Sequence, residues 1–268
     1  MKSMAAPPHE PVDPSLVEFA VDTATDAGRL TLEWFATNSL AVDHKSDGTP
    51  VTAADLAAET LIRDRITSRF PDDAIIGEEF PNTTGTSGRT WVIDPIDGTK
   101  AFTHGVPLYS NLIAMIDQSG PAVGVINLPA LDEVVAAGRG LGATHNGQAC
   151  RVSQHDHLTG AYLCTSGTGY WPRETLHRVL DSDSVLRTWG DAYGYALVAT
   201  GRAEAMIDPQ AYPWDIAPMA VIIPEAGGAF TNTSGQPDWR GGSGVATNGH
   251  IHQQVLDLLA IDLPRGVL

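Results

Sequence analysis

Cysteine is nearly missing from this sequence. Of 268 residues only Cys150 and Cys164 are cysteines, with no C-x-x-C spacing, which excludes a disulfide framework and a zinc ribbon and leads us to expect a reduced, cytoplasmic protein. No apolar run reaches the roughly 18–20 residues of a membrane span, and the first residues lack the basic-then-apolar order of a secretory signal. Basic residues are also few, 16 Lys and Arg against 32 Asp and Glu, for a formal net charge of −16. Without a basic stripe the chain has no footprint for nucleic acid and none for an anionic membrane surface. What is present, 43% hydrophobic and 18% charged residues, is an ordinary globular composition. The length suffices to bury roughly 70–75% of the unfolded surface.

Residues 1–12 are proline-rich and aperiodic, the pattern of a disordered tail. Asp13-Pro14 then sets an N-cap and a first-turn proline before an apolar stripe (Leu16, Phe19, Ala20, Ala27, Leu30, Trp34), which predicts a helix to about Phe35. After a loop from His44 to Pro50, Thr52-x-x-Asp55 is spaced as a capping box, and Phe70-Pro71 stops that second helix. Short apolar runs broken by Gly, Pro and Asn predict strands at 74–77, 90–94, 108–117, 122–127, 133–137, 161–165, 185–189 and 205–208. Further helices are predicted at about 192–200, after Trp214-Asp215 and at about 250–260. The whole reads as α/β, with an α+β half at 13–153 and an α/β half at 154–268 fused around one interior.

Chemistry concentrates in Trp91-Val-Ile-Asp94-Pro95-Ile96-Asp97-Gly98-Thr99-Lys100, where an apolar strand runs into two carboxylates. Pro95 and Gly98 turn the chain so that both can aim at one point, and the Gly98 and Thr99 amides can open a helix or nest for an anion. Glu78 follows another strand and Asp215 sits at a helix start. Glu78, Asp94, Asp97 and Asp215, with Asp55, form an all-oxygen set that selects Mg²⁺, Mn²⁺ or Ca²⁺ over zinc. Beside a phosphate-sized nest, such a set suits phosphoryl transfer to water. Asp55 and Asp215 each also admit a plainer role as helix-capping carboxylates.

The segments GEE, WVIDPIDGTK and PWDIAPMAVIIPEAGG resemble, in order and spacing, the three motifs of the inositol monophosphatase family, over about Leu16 to Leu259. The resemblance implies an αβαβα sandwich of the inositol monophosphatase and fructose-bisphosphatase type, and a phosphate monoester hydrolase. It implies Glu78, Asp94 and the Ile96 carbonyl on a first metal, Asp94, Asp97 and Asp215 on a second, and a looser third near Glu78. The metal is then Mg²⁺, two or three ions per site, with Mn²⁺ able to substitute. Asp97 and the Gly98 and Thr99 amides would cradle the phosphate. The Thr99 hydroxyl, linked to Asp55, would act with Glu78 on the attacking water, and Lys45 matches a lysine near the site. A homodimer and inhibition by Li⁺ are further family expectations.

The second half must choose the alcohol. Asp191 and Asp208 fall where the family's substrate pocket lies, and extra carboxylates there call for a cationic substrate. The block GDAYGYALVATGRAEAMIDP looks most like the histidinol-phosphate phosphatase branch, whose substrate carries an amine and an imidazole. Inositol monophosphate is the alternative, with Asp191 then only capping the following helix. Sugar or nucleotide bisphosphates fit less well, since no Arg/Lys cluster accompanies the motifs. A catalytically silent metal-binding protein on the same fold would show a broken carboxylate set, and no position here is broken.

Four remaining features read more plainly. Gly138-Arg-Gly140-Leu-Gly142-Ala143 fits a dinucleotide fingerprint formally, but Thr-His-Asn-Gly follows it, a turn and not a helix start. His155 and His157 are expected in solvent, and Trp171, Trp189, Trp239, Tyr193 and Tyr195 in core or interface packing. Lys100 is read as a solvated turn lysine or a substrate contact. Pro224 predicts a kink near Ile223.

Overall fold

A computed structural model describes residues 10–37, 42–44, 50–240 and 242–260. Lys45 lies outside the described residues, as does the expected tail over residues 1–9. The end of that tail is anchored, because Val12 is buried and its amide donates to the Arg139 carbonyl (2.9 Å).

Asp13 accepts the Ser15 amide (2.9 Å), and Pro14 opens α1 (Pro14–Leu32). The stretch read as a loop is bordered by a two-stranded antiparallel ribbon, β1 (Val42–His44) with β2 (Pro50–Thr52). The capping box is real: the Thr52 hydroxyl accepts the Ala54 amide, and Asp55 returns a bond to the Thr52 amide (2.8 Å) at the start of α2 (Ala53–Arg69). Then follow β3 (Ala74–Gly77), β4 (Thr90–Asp97), a short α3 (Thr99–Thr103), β5 (Ser110–Asp117), β6 (Gly120–Leu128), β7 (Glu133–Gly138), β8 (Gly142–His145) and β9 (Gln148–Ala149). Strands β3 to β9 form one sheet in sequence order, parallel only between β3 and β4.

The rest of the chain is β10 (Tyr162–Cys164), α4 (Arg173–Leu180), β11 (Val185–Arg187), α5 (Asp191–Ala199), β12 (Ala205–Asp208), α6 (Pro213–Ile216), α7 (Met219–Glu225), β13 (Ala229–Thr231), β14 (Gly244–Thr247) and α8 (His252–Leu259). Its five strands pair in the order β11-β10-β12-β14-β13.

Strand alternation sorts the core into layers. Trp91, Ile93, Ile113 and Met115 face α1 and α2. Val92, Leu112 and Ala114 face the opposite way, onto Ala196 of α5 and Ile222 of α7, together with Met206 and Ala246 of the second sheet. The outer face of that sheet, Leu163, Ala205, Ile207 and Val245, packs Val179 of α4 and Val255 of α8. Each large apolar side chain buried this way contributes about 1.5–3 kcal/mol. The result is the αβαβα sandwich.

One local expectation needs correction and one is narrowed. The helix after Asp215 is divided at Pro218 into α6 and α7, and α7 ends one residue past Pro224. The proline therefore falls in the last turn of α7, and the break in the helix lies upstream of it. Trp189 is 38% exposed and stacks on Tyr162 at the surface, which removes it from the core and leaves the interface alternative. The Gly138–Gly142 stretch is a hairpin turn as read, and its anion-facing amides are already taken: Gly140 and Gly142 donate to the two oxygens of Glu225 (2.7 and 2.8 Å).

Candidate active site

The site begins with an irregularity in β4. Residues three apart on a regular strand point to opposite faces. Asp94 pairs with Leu112 and Asp97 with Ser110, so β4 spends one residue more than β5 across that step. This bulge turns Asp97 back to the inner face that Val92 and Asp94 occupy, and sends Ile96 to the outer side with Ala54, Phe102 and Tyr109. Pro95 suits the position because a bulge needs no ladder amide there. Buried Asn111 donates to the Pro95 carbonyl (2.6 Å) and pins the bulge. Gly98 follows with φ of 81°, a left-handed conformation favoured by glycine, and starts α3.

Asp97 accepts from the Ser110 hydroxyl (3.1 Å) and from the Ala192 amide at the start of α5 (2.7 Å). Asp215, at the third position of α6, accepts the Tyr212 amide through Oδ2 (2.8 Å). Asp94, Asp97 and Asp215 each bring a carboxylate oxygen within 4.8 Å of the others. Among the described residues, no other group of three His, Cys, Asp or Glu ligands converges so closely, and the adjacent rings of His155 and His157 do not belong to one.

The electrostatics are those of a cation cage. Burial first, then the charges of Glu78, Asp97 and Asp215, push Asp94 well above the ordinary carboxylate range. A hydrogen bond between Asp94 and Glu78 brings Glu78 into the same cluster. Asp97 is raised well above its usual range by burial and by Asp191 and Asp215, against the pull of its Ala192 and Ser110 bonds. Burial lifts Asp215 to about 7, and Asp55 to about 6. Carboxyls crowded in this way are stable as anions only beside positive charge. The donors fit hard divalent cations, and the fit rests on oxygen convergence together with like-charge strain.

Asp55 caps α2 through one of its two oxygens. Its Oδ2 takes the Thr52 hydroxyl and amide (2.6 and 2.8 Å), while buried Oδ1 has no hydrogen-bond partner. The expected Thr99–Asp55 link is not made here, since the Thr99 hydroxyl donates to the Ile96 carbonyl (3.1 Å).

Beyond the carboxylates lies a cleft of about 150 Å³, lined among others by Asp97, Asp191, Asp208, Asp215, Tyr170 and Tyr212. A larger cavity of about 640 Å³, between α4 and α8, holds no such cluster, so volume does not locate the chemistry. Asp191 is not the cap of α5, which is Gly190 without a side-chain bond. Instead Asp191 adopts a φ of 52°, rare for a residue with a side chain, and its amide donates to Ser166 Oγ (2.9 Å). That turn aims the next amide, of Ala192, at Asp97. Asp208 lies on the inner face like Met206, buried, and accepts from Ser166 Oγ (2.7 Å) and Tyr195 OH (3.0 Å). Burial raises Asp208 to about 6 and raises Asp191 too, the latter opposed by Ser166 and by the charge of Lys100. Lys100 itself stands at the rim, 3.4 Å from the Tyr170 hydroxyl.

The family model for the inositol monophosphatase family matches residues 13–263. The chain belongs to the inositol monophosphatase family. It is 41% identical over 235 residues to a histidinol-phosphatase of Chlorobaculum parvum, covering 86% of this chain and 91% of that one. To a histidinol-phosphatase of Mycobacterium tuberculosis it is 39% identical, over 90% of this chain and 96% of that one. The crystal structure of the extragenic suppressor protein suhB from Bartonella henselae superposes with a TM-score of 0.86 at 29% identity, over 94% and 100% of the two chains.

Several residues that build this inositol monophosphatase-family site escaped sequence reading. Asn111, Ser166 and Tyr195 act through hydrogen bonds to segments 16, 42 and 13 residues away. Glu59 was missed as well, although Asp55, Glu59 and Arg63 mark a polar stripe at every fourth residue of α2, where a buried face should be apolar.

Proposed function

We propose that this phosphatase hydrolyses L-histidinol phosphate to L-histidinol and phosphate, using Mg²⁺ held by Glu78, Asp94, Asp97, Asp215 and the Ile96 carbonyl. The convergence of Asp94, Asp97 and Asp215 oxygens beside the cleft carries the reaction class. Two or three divalent cations, when bound, would lower the pKa of the attacking water and stabilise charge on the leaving oxygen. Glu78 and the Thr99 hydroxyl would orient that water and Glu78 would accept its proton, while a water in the Asp215 region would deliver one to the leaving oxygen. The Gly98 and Thr99 amides and the start of α3 receive the phosphate.

For the alcohol, half-buried Asp191 faces the cleft with buried Asp208 behind it. Both oxygens of Asp208 are already engaged, by Ser166 and Tyr195, so Asp191 is the direct partner of a substrate ammonium and Asp208 adds charge at longer range. Tyr170 and Tyr212, 54% and 46% exposed at the mouth, suit an imidazole ring. The names of the two relatives at 41% and 39% identity support the same substrate. In this reading residues 154–268 carry specificity and 13–153 most of the metal site, which Asp215 closes from the other half. A cytoplasmic homodimer belongs to the proposal.

The test is a Mg²⁺-dependent phosphate-release panel of L-histidinol phosphate, inositol 1-phosphate, fructose 1,6-bisphosphate and adenosine 3′,5′-bisphosphate. Histidinol phosphate is expected to give the highest kcat/KM. A higher value for inositol 1-phosphate would transfer the assignment to that substrate.

A further inference from the structure

Glu59 is fully buried on α2, yet the reaction as described does not use it. A buried carboxylate persists only where donors surround it. Its donors are Arg63 Nε one turn along the helix (2.7 Å), the Glu79 amide (2.7 Å) and the Phe80 amide (3.2 Å). Arg63 completes the grip from the other side, because its Nη2 donates to the Phe80 carbonyl (3.1 Å) and its guanidinium lies over the Phe80 ring. Glu59 and Arg63 therefore hold Phe80 at both its amide and its carbonyl.

Glu78 sits between two fixed points. On one side β3 ends at Gly77, in register with Ile93 of β4. On the other, the Glu79 and Phe80 amides are tied to α2. A Cβ built at Gly77 would overlap Glu59 Oε1, so glycine there lets the carboxylate come up beneath the turn. The same helix face carries Asp55, one turn before Glu59, towards the carboxylate cluster.

We infer that Glu59, with Arg63, is a positioning residue that fixes the Gly77–Phe80 turn and thereby aims the Glu78 carboxylate at Asp94. This rests on the reading of Glu78 as a metal-binding residue. Groups that orient a ligand from behind cost about 10–100-fold in metal affinity when removed.

The probe is Mn²⁺, with binding followed by calorimetry on the full chain and kcat and KM measured in parallel. Glu59→Gln turns one acceptor oxygen into a donor, and is expected to weaken Mn²⁺ binding about tenfold or more and lower kcat, with KM near that of the wild type. Gly77→Ala crowds the same carboxylate without altering charge, and is expected to move Mn²⁺ affinity in the same direction. Arg63→Lys cannot serve both Glu59 and the Phe80 carbonyl, and decides the matter if Glu59→Gln does not fold. Val255→Ala, in the distant α8 layer, controls for lost stability and should leave Mn²⁺ affinity unchanged. Wild-type Mn²⁺ affinity in both Gly77→Ala and whichever of the other two folds would overturn the clamp and leave the metal reading standing. A wild-type protein that binds no Mn²⁺ would overturn both.

Discussion

On the sheet side of the cleft, Asp94 and Asp97 come from four consecutive residues of one buried strand, and a bulge in that strand sets their direction. On the helix side, Asp191, Ser166 and Asp208 come from three separate segments, held together by side-chain bonds around a left-handed turn. The first wall is set by backbone geometry, and in the proposed function it carries the reaction. The second is a side-chain network, and it meets the first at one point, where the Ala192 amide donates to Asp97 (2.7 Å).

The sharpest break of that contrast is on the sheet side. Asp94→Asn and Asp215→Asn are each expected to lower kcat about 10³-fold or more while the fold persists, since cation-mediated charge stabilisation is what makes monoester hydrolysis feasible. In the metal-free state both variants should melt higher than the wild type, because like-charge crowding is relieved. Phosphate release and a thermal melt check the two halves of the statement, and activity within tenfold of wild type would refute the first.

Next in size is Asp191→Asn. It should raise KM for L-histidinol phosphate about tenfold, worth about 1.4 kcal/mol, and change inositol 1-phosphate far less. Steady-state kinetics on both substrates decides this, and equal losses would show that Asp191 holds the α5 turn rather than an ammonium. Ser166→Ala should have a smaller effect spread over both substrates, a few-fold in kcat. It removes a donor to buried Asp208 and an acceptor for the Asp191 amide, a loss of about 1–3 kcal/mol in stability.

The smallest effect is a pH dependence of the metal-free protein. Asp55 and Asp208, raised to about 6, and Asp215, raised to about 7, bind protons in the folded state that the unfolded chain releases near 3.8. Their contribution is fully present below that lower value and is lost as pH climbs through about 6 to 7. The melting temperature without metal should therefore fall between pH 5 and pH 8, and Mg²⁺ should restore it at the upper end. A melting temperature that rises over that interval without metal would contradict the sign.

The same contrast explains what could be read from the chain beforehand. The sheet-side carboxylates are contiguous, so Asp94, Pro95, Asp97 and Gly98 announce themselves, and the strand leading to them is an unbroken apolar run. Helices α1 and α2 were legible because a cap and an apolar period coincide at each start. The helix-side wall was legible only as isolated acids. Nothing near Ser166 signals that its hydroxyl will join Asp208 and Asp191, since that contact exists only after β10, α5 and β12 are packed. Strands β13 and β14, three and four residues long, carry no period to detect. Trp189 could not be divided between core and interface beforehand, because an aromatic residue carries no mark of its neighbours, and here it stacks outward on Tyr162 under Arg187.

The most direct measurement is phosphate release from L-histidinol phosphate by protein first stripped with chelator and then titrated with Mg²⁺. No release before Mg²⁺, and a saturable return of activity as it is added, is the outcome required if the three converging carboxylates are the seat of the reaction. Release that ignores the chelator would mean that they are not.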